Sequence, residues 1–186
     1  MPTAIRSRAL ILAALSVSAL VVGCDPDDGA VDLTGSCCGR APARITGDGF
    51  AAYVPNAFTP NGDGVNDRFA PVVDTGITAV GFDVYDVATG EPVYSTERRY
   101  PTAELADVAW DGRRADGSAY VGTFEVLLDL RVREGFTVSE RALSCAIDCA
   151  DALARADDCV FGSQRAGDSG DYDAARAPGE DSCVGR

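Results

Sequence analysis

Apolar and polar positions alternate most regularly over Thr123–Arg133, where Phe124, Val126, Leu128, Leu130 and Val132 fall on one face and Glu125, Asp129, Arg131 and Arg133 on the other. Successive side chains of an extended chain point to opposite faces, so this pattern predicts a strand with one buried face and one wet face. Leu127 is the single apolar residue on the wet side. Glu134-Gly135 supplies a tight turn into Phe136–Leu143, which predicts a hairpin. Upstream, Phe82 and Val84 oppose Asp83 and Tyr85, Ala88-Thr89-Gly90 breaks the run, and Pro92-Val93-Tyr94 resumes it. Short β-rich runs separated by turn signals over residues 50–144 predict an all-β fold, a β-sandwich rather than βαβ units. That span suffices for one small sandwich and not for two.

The flanks read differently. Ala9–Gly23 is an uncharged apolar run of 15 residues preceded by Arg6 and Arg8. A spanning helix needs about 20 residues, so residues 1–23 have the shape of a removable export signal. Residues 24–49 are polar, rich in Gly, Pro and Asp, and without apolar period, which predicts a disordered acidic tether. Residues 145–186 form a tail. It opens with a predicted short helix, Ala146–Asp157, and continues Gly/Asp/Ser-rich with Phe161 and Tyr172 as its aromatics, too little apolar surface to fold unaided.

Composition narrows the chemistry. The 186 residues include 16 Arg, no Lys and no His, so imidazole bases, imidazole metal ligands, Schiff-base amines and a P-loop lysine are all excluded. A net charge of −13 argues against nucleic acid as a partner. Cleavage before Cys24 would remove Arg6 and Arg8 and no acid, leaving 14 Arg against 29 acids, a charge of −15. Carboxylate pairs are too easily nominated among 29 acids to indicate glycosidase chemistry, and a non-enzymatic role is expected. With one Trp and one Met, the core is expected to be thin in large side chains.

Val21-Val22-Gly23-Cys24 resembles the lipobox of bacterial lipoproteins, in which the cysteine is diacylated and becomes the first mature residue. The resemblance implies a lipid anchor on Cys24 and a location on the cell envelope, at the outer membrane or cell surface. Six cysteines remain: Cys37, Cys38, Cys145, Cys149, Cys159 and Cys183. An even number in an exported chain points to disulfides, all placed outside the predicted sandwich, stapling tail to tether. Without a CxxC spacing, zinc and redox roles are not expected.

Val54-Pro55-Asn56-Ala57-Phe58-Thr59-Pro60-Asn61-Gly62-Asp63-Gly64-Val65-Asn66-Asp67-Arg68-Phe69 resembles the opening motif of the gliding motility-associated C-terminal domain family. The resemblance continues through Val80–Asp86 and Val93-Tyr94, then through Trp110-Asp111-Gly112, Asp116-Gly117 and Tyr120–Leu130. The last stretch is also similar to the immunoglobulin-like domain of flagellar hook-capping proteins. Coverage is residues 53 to about 144, roughly half the chain. What the family implies is an immunoglobulin-like sandwich that serves type IX secretion as a sorting module. In this chain the motif follows a tether and precedes a Cys-bearing tail.

The motif carries a second reading. Aligned to the D-x-[DN]-x-[DN]-G calcium pattern, Thr59 takes position one, Asn61 three, Asp63 five, Gly64 six, the Val65 carbonyl seven and Asp67 nine, with Ala70 where a bidentate Glu is usual. Calcium held by Asn61, Asp63, Val65 and Asp67 stands beside an Asx-rich turn whose side chains cap their own backbone. Gly47-Asp48-Gly49-Phe50-Ala51-Ala52 matches GxGxxA but neither follows a strand nor opens a long helix, so it reads as a turn. Trp110 reads as a core anchor, and Arg98-Arg99 and Arg113-Arg114 as exposed pairs at strand ends.

The expectation is therefore a lipid-anchored envelope protein presenting an immunoglobulin-like domain to a protein or glycan partner. Two alternatives stand beside it: a type IX-like sorting or surface component, and a calcium-dependent adhesion module.

Overall fold

The computed structural model describes residues 42–148, 161–166 and 171–172. The export signal, Cys24, Cys37, Cys38, Cys149, Cys159, Cys183 and most of the expected tail helix lie outside them.

Strands β1 (Ala43–Gly47) and β2 (Phe50–Val54) form an antiparallel hairpin closed by Asp48-Gly49, with Gly47 opposite Phe50. Gly49 takes φ 75, the left-handed region a two-residue hairpin turn requires. The GxGxxA match is thus a hairpin turn. Strand β3 (Val72–Val73) pairs with the other side of β2 and completes a three-stranded sheet. The expected tether therefore stops short of residue 49. Ala43–Gly47 holds too few apolar residues to announce a strand, and its partner β2 supplies the order.

A second, five-stranded sheet contains β4 (Ile77–Asp86), β5 (Pro92–Ser95), β6 (Tyr100–Pro101), β7 (Gly122–Val132) and β8 (Thr137–Ala146). Strand β7 lies between β4 and β8, while β5 and β6 pair with different ends of β4. A 3₁₀ helix, Thr102–Val108, follows β6. The fold is all-β, as the alternation predicts, with two antiparallel sheets that share one core. On β7, Phe124, Val126, Leu128 and Leu130 are fully buried and Val132 nearly so, whereas Leu127 is half-buried on the outer face. Each such buried side chain contributes about 1.5–3 kcal/mol of transfer free energy.

The core is richer in rings than the single Trp suggested. Phe58, Phe69, Phe82, Tyr94, Trp110, Tyr120 and Phe124 form a connected cluster, with the closest centroids, Phe69 and Phe124, 5.0 Å apart and edge-to-face. Aromatic pairs in that arrangement add about 0.5–1.5 kcal/mol each beyond their buried area.

Strand β8 runs farther than Leu143 and takes in Cys145 and Ala146, both fully buried. Cys145 thus belongs to the sheet and not to a separate tail, and Ala146 ends a strand where a helix was expected to begin. The tail also returns. Phe161, 2% exposed, packs with Ala57, Cys145 and Ile147, and two-residue strands β9 (Arg165–Ala166) and β10 (Asp171–Tyr172) pair beyond it.

Candidate functional site

After β2, Pro55 turns the chain so that Asn56–Phe58 runs parallel to the end of β8. Cys145 N–H donates to Asn56 O (3.1 Å), Phe58 N–H to Cys145 O (2.9 Å) and Ile147 N–H to Phe58 O (3.0 Å). The dense turn motif begins here, with every residue from Ala52 to Thr59 buried.

The next ten residues fold on themselves. Asn61 Oδ1 accepts the Asp63 N–H (2.9 Å) and Asp63 Oδ1 accepts the Val65 N–H (2.7 Å), two successive Asx turns. The Asp67 carboxylate closes the loop, Oδ1 accepting from Gly62 N–H and Oδ2 from Gly64 N–H, each at 2.5 Å. Gly62 (φ 82) and Gly64 (φ 92) sit in the left-handed region, as does Asn66 (φ 50), one of the few non-glycine residue types that tolerate it. Thr59 N–H reaches Asn66 O at 2.9 Å and fixes the width of the loop.

Of the oxygens nominated for calcium, those of Asn61, Asp63 and Asp67 are engaged by backbone N–H groups, and the Val65 carbonyl lies 3.5 Å from the Thr59 hydroxyl. Both oxygens of Asp67, and one each of Asn61 and Asp63, accept hydrogen bonds from within the loop. Among the described residues, no group of three or more His, Cys, Asp or Glu is arranged to hold a metal. The loop as it stands is a self-capped turn.

The second motif docks on the first. Phe69 and Trp110 exchange both backbone hydrogen bonds (2.7 and 2.9 Å), and the Trp110 ring lies 5.3 Å from that of Phe58. Trp110 Nε1–H donates to Arg113 O (2.8 Å), and Asp111 Oδ1 accepts from Arg113 N–H (3.1 Å). Gly112, at φ 75, lies against Pro60, where a Cβ would stand 2.5 Å from the proline Cβ. The stretches Val54–Phe69 and Trp110–Gly112 are thus one packed unit.

Sequence reasoning missed three residues that hold this unit. Arg68 donates to Ala106 O (3.1 Å) and Ala109 O (2.8 Å), satisfying carbonyls at the end of the 3₁₀ helix. Tyr94, stacked on Trp110, donates to Val108 O at 2.6 Å. Tyr120, 1% exposed, donates to Thr123 O at 2.7 Å. Burial, with the Asp86 charge beside it, pushes the Tyr120 phenol well above its ordinary range. Burial acts to raise the Asp86 carboxyl in turn, but hydrogen bonds from Thr89 outweigh it and hold that group below the usual carboxylate range. A single Arg or Tyr in a loop carries no periodic signal that could have marked these roles.

The arginine pairs have partners. Arg99 bridges Asp129 at 3.0 Å, and Arg98 lies 4.6 Å over the Tyr100 ring. Arg114 lies 4.8 Å over the Tyr120 ring and 3.7 Å from Asp86, while Arg113 donates to Gly117 O. Arg99 and Asp129 also border a groove of about 320 Å³ on the outer face of the five-stranded sheet, floored by Gly81 and Leu127. Ser95 donates to Asp83 at 2.5 Å on its rim.

No family model matches the chain, and no curated protein matches it either.

Proposed function

We propose that this is a non-enzymatic cell-envelope lipoprotein that presents one immunoglobulin-like domain for structural or protein/glycan interaction. The observation that carries the reading is how the motif residues are used. Asn61, Asp63, Asp67, Arg68, Trp110 and Asp111 all spend their polar groups on the backbone of the domain itself. A rigid, self-satisfied turn unit suits a presenting scaffold, whose contacts then fall to the outer sheet face and its polar groove. The apolar run ending in Val21-Val22-Gly23-Cys24 supports the lipid anchor. The six cysteines Cys37, Cys38, Cys145, Cys149, Cys159 and Cys183, an even number, support disulfides in an exported chain. Two antiparallel sheets around one core support the immunoglobulin-like assignment.

The second reading is a type IX-like sorting or surface component. It draws on the packing of the two family-like motifs into one unit through Phe69, Trp110, Pro60 and Gly112. It predicts a host that encodes that secretion apparatus.

Protease shaving of intact cells expressing a tagged chain, beside a Cys24→Ser variant, tests the main reading. Loss of the tag from whole cells places the domain outside the outer membrane. Protection until lysis makes it a periplasmic envelope component. Equal membrane retention of the Cys24→Ser form overturns the lipid anchor.

A further inference from the structure

Three connections join the tail to the turn motif. Phe161 forms a parallel bridge with Ala57 on the side of Asn56–Phe58 away from β8. Its ring is 2% exposed within the cluster of Ala57, Cys145 and Ile147. Ser163 N–H donates to Asn66 Oδ1 at 3.1 Å, across 97 residues of sequence. The segment is shaped for the task. Gln164, 4% exposed, accepts the Phe161 N–H on Oε1 (2.9 Å) while its own N–H returns to Phe161 O (3.0 Å), so one closed turn follows the aromatic anchor. Gly162 lies over Pro55, where a Cβ would stand 3.7 Å from the proline Cγ.

We infer that Asn56–Phe58 is a strand-acceptor edge, that the chain's own Phe161–Gln164 is its ligand, and that this pairing clamps the 59–68 turn. A strand edge with one side already paired offers main-chain groups for affinity and a side-chain pocket for selection. Here the pocket, walled by Ala57, Cys145 and Ile147, takes an aromatic ring. The partner class is a short peptide with an aromatic residue that leads into a turn closed by a Gln three positions on. Asn66 is the point where the clamp meets the turn, because its backbone carbonyl holds Thr59 while its side chain holds Ser163.

Hydrogen exchange by mass spectrometry on the full chain tests this, comparing wild type, Phe161→Ala and Asn66→Gly. The glycine keeps the left-handed backbone and deletes the acceptor for Ser163. In Phe161→Ala, exchange over residues 56–58 and 62–66 should rise on the order of a hundredfold, given what a lost buried Phe removes. In Asn66→Gly the 62–66 amides should rise about fivefold. The β7 amides, Phe124–Leu130, should stay protected in both. A free peptide of sequence Phe161–Ala166 added in excess to Phe161→Ala should restore protection at 56–58, and the same peptide with Ala for Phe should not. Unchanged exchange at 56–58 and 62–66 overturns the clamp. A rise spread equally through β7 overturns it as well, since that is general destabilisation. If Phe161→Ala unfolds, the Asn66→Gly result decides the clamp. A peptide without effect on folded Phe161→Ala overturns the acceptor edge.

Discussion

Substituting Gly112 by Ala tests whether the two motifs really form one unit. The residue sits at φ 75, and a Cβ there would stand 2.5 Å from Pro60 Cβ and 2.7 Å from its Cγ. Two costs follow. Holding an alanine in the left-handed region costs about 1–2 kcal/mol. Relieving the overlap with a proline ring, which is tied to the backbone at both ends, costs about 1–3 kcal/mol more. The sum, about 2–5 kcal/mol, is a large share of the roughly 5–15 kcal/mol that stabilises a domain. At about 4 °C per kcal/mol it lowers the melting temperature by roughly 8–20 °C. Gly117→Ala is the internal control, because φ there is 83 and nothing lies within 4 Å of a Cβ, so it carries the first cost alone. Trp110, 1% exposed and the single Trp of the chain, reports unfolding by fluorescence in urea or on heating. If Gly112→Ala and Gly117→Ala unfold together within experimental error, the Pro60 contact contributes nothing and the unit is two independent turns.

Three further outcomes are expected. Ser144 Oγ is buried with no hydrogen-bond partner among the described residues, so Ser144→Ala should raise stability by about 1 kcal/mol in urea titration, and a loss of that size contradicts the assignment. A turn capped only by its own side chains has the same melting midpoint in calcium and in EDTA, and that is the expected result; a rise in calcium favours the ion-binding reading instead. The raised Tyr120 pKa stabilises the fold fully below pH about 10 and less as pH climbs toward the folded value, so stability should fall above pH about 10 and fall less in Tyr120→Phe. The lowered Asp86 carboxyl works with the opposite sign, its contribution present above pH about 4 and lost as pH drops through the folded value.

Strand β7 was legible because period-two alternation is a local property, and every inward position predicted there is buried. The turn chemistry of Asn61–Asp67 was legible for the same reason, since Asx turns reach only two residues along the chain. What escaped the sequence depends on partners far away. Strand β1 exists through its register with β2. Cys145 reads as part of a tail until Asn56 and Phe58 pair beside it. Phe161 stands alone in polar sequence, and only the pocket of Ala57, Cys145 and Ile147 makes it a core residue. Arg68 looks like one charge among sixteen until the carbonyls of Ala106 and Ala109 are placed around it.

Strand β8 closes its sheet, and among the described residues no strand covers its outer side between Thr137 and Leu143. Its two charged residues, Glu140 and Arg141, are neighbours at the middle of that open stretch, and both are exposed. If two molecules met edge to edge about a two-fold axis, side chains on the same face of the combined sheet would have to stand opposite one another. An antiparallel pairing of that kind joins positions of the same parity. The longest overlap sets Glu140 against Glu140, and a shift of the axis by one residue sets Arg141 against Arg141 or Ser139 against Ser139; like charges directly opposed weaken a sheet. The Glu140 charge thus weighs against the fullest self-pairing of this edge, while Arg141 is held by Glu125 within its own sheet.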